Sequence, residues 1–241
     1  MIDIFDKAIG VSVQMGRAMI LSKAREKIDR FNKLGVHYNV VVNHVYDERR
    51  SFPDLFDADY LPYLVAALIS FEMERMMGQG AERKYDVTAG GFATILHRKL
   101  TVIKSKIEHL TKISLVDVDL EEERENIESA YRELSAGGLG GLNQRGDDFH
   151  VGATKILHFL NPELFLIVDS NAARAFRTSH GVTYQNTTQP GYSSAKYMKC
   201  MELAKADIKS FGVKEFCALE PGIPIARIYD KLTFATGSGW F

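Results

Sequence analysis

The sequence predicts an all-α protein. Apolar residues recur at helical spacing in one segment after another, and only one stretch, His37 to Tyr46, reads as β-like, with no second run nearby to pair with it. The chain has 241 residues, of which 46% are hydrophobic and 25% charged. Those are globular values, with enough chain to bury a real core, and they exclude wholesale disorder and collagen-like structure.

The first helix is predicted from Gln14 to Leu34, with Met19, Ile20, Ala24, Ile28 and Phe31 on one stripe and charge on the other. His37 to Tyr46 (HYNVVVNHVY) is either a further helix or an isolated extended segment. A helix starts near Asp59, with Pro62 in its first turn, and runs to Met77, where Gly78-Gln79-Gly80 ends it. Another covers Gly91 to Thr111. The next, Asp119 to Leu134, carries acids in its first turn, as the helix dipole prefers.

Ser135 to Leu142 is the most glycine-dense stretch and a natural division between two lobes, about 1–135 and about 136–241, of a single unit. Phe149 to Leu160 is a short apolar helix stopped by Asn161-Pro162. Asp169 reads as the N-cap of a helix reaching Arg177. His180 to Tyr192 is a polar loop, and Ser193 or Ser194 caps a helix to Phe211. Short helices at Val213 to Leu219 and Pro224 to Ala235 finish the chain.

Thirty basic and 31 acidic residues give a net charge of −1, which argues against coating nucleic acid through bulk charge. The balance is uneven. Residues 151–241 carry 10 basic and 7 acidic side chains (+3), and residues 1–150 carry 20 and 24 (−4). Cys200 and Cys217 are too few for a disulfide scaffold or a cysteine zinc site. No signal peptide is expected, and Leu61 to Phe71 is too short to cross a bilayer. The expectation is a soluble cytoplasmic protein without a membrane partner.

The block most informative about chemistry is Phe149 to Phe176. A buried-looking helix turns at Asn161-Pro162 into an apolar run, Leu164 to Val168, which delivers one carboxylate, Asp169, to a helix start. A capping aspartate needs no further role. One leaving an apolar run is also partly desolvated, and can stabilise a cation developing nearby.

Within that block, Ile167-Val168-Asp169-Ser170-Asn171-Ala172-Ala173-Arg174 resembles the V-D-[ST]-x-x-x-x-R segment of the helix-hairpin-helix base-excision DNA glycosylases. The preceding Thr154-Lys155-Ile156-Leu157 helix is similar to its counterpart in the archaeal 8-oxoguanine branch. The resemblance covers about 30 residues. It implies a two-lobed helical fold, a DNA partner and cleavage of the N-glycosidic bond of a damaged base such as an oxidised purine. It also implies that Asp169 supports positive charge growing on the sugar. The alternative is a catalytically inactive relative that binds nucleic acid or protein.

Several residues depart from the pattern. Arg174 comes one position early. Bifunctional members use a lysine that forms a Schiff base at the sugar. A gapless match places that lysine near His150 to Gly152, where none stands. The block's only lysine, Lys155, lies 14 positions before Asp169 (169 − 155), and is either a helix-surface residue or the nucleophile. The family's glycine hairpin holds a phosphate on backbone N–H groups. Gly138 and Gly140 could do so here, although no proline precedes them and a flexible linker explains them equally well. His150 joins the candidate substrate contacts. So do Tyr184, Gln185 and Asn186, which could stack on a base and read its edge. The histidines show no metal-ligand spacing, and no metal or cofactor is expected.

Overall fold

The structure is a computed structural model that describes residues 19–68, 92–136, 149–182 and 193–239; of residues 37, 38 and 92 it describes the backbone alone. Every regular element among the described residues is a helix. In chain order these are α1 (Ala24–Leu34), α2 (Val36–Arg49), α3 (Leu61–Leu68), α4 (Phe92–Ile107), a 3-10 turn (Glu108–Lys112), α5 (Arg124–Ser135), α6 (His150–Leu160), α7 (Ser170–His180), α8 (Ser194–Phe211), α9 (Val213–Cys217) and α10 (Ile225–Gly237). None is long and apolar enough to cross a membrane.

Of the stripe predicted for the first helix, Ile20, Ala24, Ile28 and Phe31 are buried, while Met19 is 47% exposed. The helix is broken, however, at Ser22-Lys23, where Lys23 takes a left-handed φ of 51°. The Lys27 ammonium folds back onto the carbonyls of Met19 and Ile20. It replaces the backbone partners lost at the break, and burial pulls its pKa down to about 8.

His37 to Tyr46 lies within α2. Valine costs a few tenths of a kcal/mol in a helix. Burying Val42, Val45 and Tyr46 on one side returns about 1.5–3 kcal/mol for each large apolar side chain. Among the described residues no strand is present to complete a ladder, and a helix pairs these backbone groups internally.

The segment predicted as one helix to Thr111 tightens to 3-10 geometry after Ile107. The helix predicted from Asp119 begins at Arg124. Asp119 instead closes an earlier turn, accepting from the Glu121 and Glu122 N–H groups at 2.9 and 3.1 Å. The glycine run, the loop after Val182 and the end of the Asp59–Met77 prediction lie outside the described residues.

One hydrophobic cluster runs from Ile20 to Leu232. α10 packs on both α7 and α1, while α5 packs on α4, α6 and α8. Near the chain's C-terminus α10 meets the first turn of α7. There a Cβ on Gly237 would stand 1.8 Å from the Asn171 carbonyl oxygen. Arg174 Nη1 donates to the Gly237 carbonyl at 2.6 Å across the same contact. Gly237→Ala must separate two backbones, and we expect a loss of about 1–3 kcal/mol in urea unfolding. A wild-type unfolding midpoint would show that the contact yields freely.

Candidate functional site

The apolar run Leu164 to Val168 is buried, leaves a turn at Leu164 and belongs to no helix and, among the described residues, to no sheet. Side chains therefore satisfy its backbone. Val168 N–H donates to Thr154 Oγ1 at 3.2 Å, Tyr197 OH to the Leu166 carbonyl at 3.1 Å, and His158 Nδ1 lies 2.6 Å from the Phe165 carbonyl. Asn161 fixes the turn into the run. Its amide donates to the Leu110 and Ile113 carbonyls, both at 2.7 Å, and its oxygen accepts from Glu163 N–H at 3.0 Å. Asp169 thus leaves a segment pinned on three sides.

Asp169 caps α7 as the sequence predicts. Its Oδ1 accepts from the Asn171 and Ala172 N–H groups at 2.9 and 2.8 Å, and Oδ2 takes part in neither bond. The helix runs three residues beyond Arg177, to His180. It stops at Gly181, whose φ of 65° suits a residue without a Cβ.

Lys155 is buried, 6% exposed, so the surface alternative does not describe it. Lys155 and Asp169 come from different elements, yet both act on one further carboxyl, that of Asp230 on α10. Burial is the main cause that pushes Asp230 up to about 6. Repulsion from Asp169 adds to it, while Arg227 and Lys155 pull the other way. Arg227, 2% exposed, donates through Nη1 to Asp230 Oδ2 and through Nη2 to Asn39 Oδ1 at 3.3 Å. From Asn39 the polar contacts continue through Asn32 to Lys231 and Glu220. Phe31 lies beneath both cations, 5.1 Å from the Arg227 guanidinium carbon and 5.8 Å from Lys231 Nζ.

Asp169, half-buried at a helix N-terminus, and Lys155 thus both lie within electrostatic range of a carboxyl that titrates near pH 6. Such a set can hold charge against a developing cation and exchange a proton near pH 6. Arg227 and Asp230 stand three apart on one helix, a spacing that lets them pair, but nothing local in the sequence ties Asp230 to Asp169. The available signal was Ile225 to Leu232, where apolar residues surround the charges so closely that not all can reach water.

The other expected contacts fall apart from this set or outside view. His150 opens α6 and stacks on Tyr131, with ring centroids 6.0 Å apart and planes 18° apart. Five residues along a helix, Lys155 faces roughly 140° away. Gly138, Gly140, Tyr184, Gln185 and Asn186 lie outside the described residues. His158 is fully buried and its pKa is pushed down to about 3, chiefly by burial, so it stays neutral and structural. Among the described residues no group of three His, Cys, Asp or Glu could hold a metal ion. No known protein family, curated protein or solved structure matches the chain.

Proposed function

We propose that the protein cleaves the N-glycosidic bond of a damaged base in DNA, in the manner of the helix-hairpin-helix glycosylases its Asp169 segment resembles. The observation that supports this reading is that Asp169, at a helix N-terminus, and Lys155 both lie within electrostatic range of the Asp230 carboxyl. An extruded nucleotide would set its sugar against Asp169. The carboxylate would then stabilise the oxocarbenium-like charge that grows as the bond to the base breaks. In the lysine route, Lys155 Nζ bonds to the anomeric carbon while the bonding pair leaves with the base. The base takes up the proton that the amine sheds, and ring opening gives the Schiff base. In the water route, Asp169 acts with a water molecule and Lys155 supplies charge alone.

The two cap bonds to Asp169 favour a second reading, because they account for the residue without chemistry. On that reading the chain is an inactive relative that binds nucleic acid or protein. Asp169→Asn separates the two, since asparagine caps helices about as well as aspartate. Base release from lesion-containing duplexes is expected to fall at least about 10²-fold with folding and DNA affinity kept. Equal release by variant and wild type, or none by either across a panel of lesions, would leave the cap as the whole role. Borohydride trapping tests the lysine separately. A covalent adduct that persists in Lys155→Gln would assign the nucleophile elsewhere.

A further inference from the structure

A cleft of about 500 Å³ opens between the C-terminal end of α2, the loop after it and the 3-10 turn. Its volume lies in the range of small-molecule sites and far exceeds what a lone ion needs. Arg49, Arg50 and Lys112 supply its full cations, and Asp54 and Glu108 its acids.

Asp54 is answered from outside the lining, whereas Glu108, its side chain 60% exposed, meets Lys104 only in a contact of little energy. Lys104 Nζ lies 2.5 Å from Asp54 Oδ2 and 3.9 Å from Glu108 Oε1. Asp54 also accepts from the Phe56 N–H at 2.9 Å, and the bond from Lys104 is the main cause holding its carboxyl below the ordinary range.

The cations are not answered in the same way. Arg49 Nε donates to the Leu160 carbonyl at 2.9 Å and Nη2 to the Thr111 carbonyl at 2.6 Å. These bonds tie the guanidinium to the ends of α6 and the 3-10 turn and fix its plane. Nη1 makes neither bond, and among the described residues no carboxylate lies within ion-pair distance of Arg49. Burial pulls its pKa below the ordinary arginine value and outweighs the opposing influence of Tyr60 and of the more distant Glu163 carboxylate. Arg50 meets only Asp47 at 3.5 Å, both side chains more than 70% exposed, a contact of little energy. Lys112 is exposed.

We propose that this cleft binds a phosphoryl group, with Arg49 as the fixed guanidinium and Arg50 and Lys112 as flanking cations. The two carbonyls occupy the Nε and Nη2 edge and hold the guanidinium in place, which leaves Nη1 to donate to an oxyanion, and three cations suit a dianion better than a single carboxylate. The remaining volume takes an organic body beside Phe52, whose ring is braced on Tyr60 and Tyr63 at 5.3 and 5.2 Å. The proposal does not rest on the glycosidic-bond reading, and its test involves no base release.

Isothermal titration of the full chain with inorganic phosphate, AMP and a short oligothymidylate gives the readout. Saturable binding that weakens with salt is expected for phosphate and AMP. The Arg50→Gln, Lys112→Gln double variant, altered only at exposed positions, should bind about tenfold more weakly. The Arg49 Nε–H resonance should shift as phosphate is added. Either source of the phosphoryl group supports the site: AMP binding more tightly than the oligonucleotide assigns a mononucleotide, and the reverse assigns a nucleic-acid strand. No saturable binding of any of the three, or equal affinity in wild type and double variant, would overturn the proposal.

Discussion

Arg227→Met is expected to lower the unfolding free energy by about 3–5 kcal/mol at pH 7, the usual cost of removing one partner from a buried ion pair. Arg227 and Asp230 are 2% and 5% exposed, so neither charge can turn to water when the other is lost. Asp230 then has one escape, which is to take up a proton. Arg227 is the largest influence opposing burial at that carboxyl, and without it the pKa rises further above about 6. The defect should therefore shrink between pH 7 and pH 5, as neutral Asp230 becomes the dominant form. Adding Asp230→Leu should recover at least half of the loss at pH 7, because the uncompensated charge is gone. Urea unfolding of the three proteins at both pH values checks this. An Arg227→Met defect that does not depend on pH and is not relieved by the second change would trace the loss to Phe31 and Asn39 instead.

Acidification should expose the second large effect, at His158. Its Nδ1 faces a carbonyl, which can only accept, so Nδ1 carries the proton. Its Nε2 is then the acceptor for the Tyr46 hydroxyl, whose own pKa burial drives upward. Protonating Nε2 would set a cation in an apolar site, near the positive charges of Arg227 and Arg49, and displace that hydroxyl.

The pKa falls from 6.5 to about 3 on folding, so the unfolded chain binds the proton first. The resulting stability is complete above about pH 6.5 and is lost progressively toward pH 3, about 5 kcal/mol in all. Asp230 acts in the opposite sense. Its folded pKa is raised from 3.8 to about 6, so acidification from about 6 to about 4 returns about 3 kcal/mol. The two contributions nearly cancel down to about pH 4, and below that only the histidine loss remains. In Asp230→Asn the loss should begin near pH 6. A variant whose stability tracks wild type throughout this range would show that one of these groups titrates normally in the folded chain.

Helix positions were legible wherever one face alone carried the apolar residues. Ile20, Ala24, Ile28 and Phe31 are such a stripe, and so is the Asp169 cap, because a cap is a local bond between a side chain and the next two or three amides. The all-α class follows from the repetition of that pattern. His37 to Tyr46 was not decided this way. Its valines suit a strand or a helix, and the burial of Val42 and Val45 on one face, with no partner strand among the described residues, goes with the helix. The break at Lys23 also escaped the periodicity, because Lys27 repairs it with a side chain.

The sequence by itself determined the succession of helices, the three-residue spacing that lets Arg227 and Asp230 pair, and the carboxylate at the start of α7. Tertiary structure alone decided that Lys155 is buried, that Asp169 and Asp230 influence one another, and that Arg49 lines a cleft with no carboxylate of the described residues within ion-pair distance of it. The physical reason is range. Caps, stripes and i,i+3 pairs are fixed within a turn or two of one helix. A raised pKa or an unanswered guanidinium depends on which distant helices desolvate it, and α10 brings Asp230 against α7 only because Gly237 lets the two backbones meet.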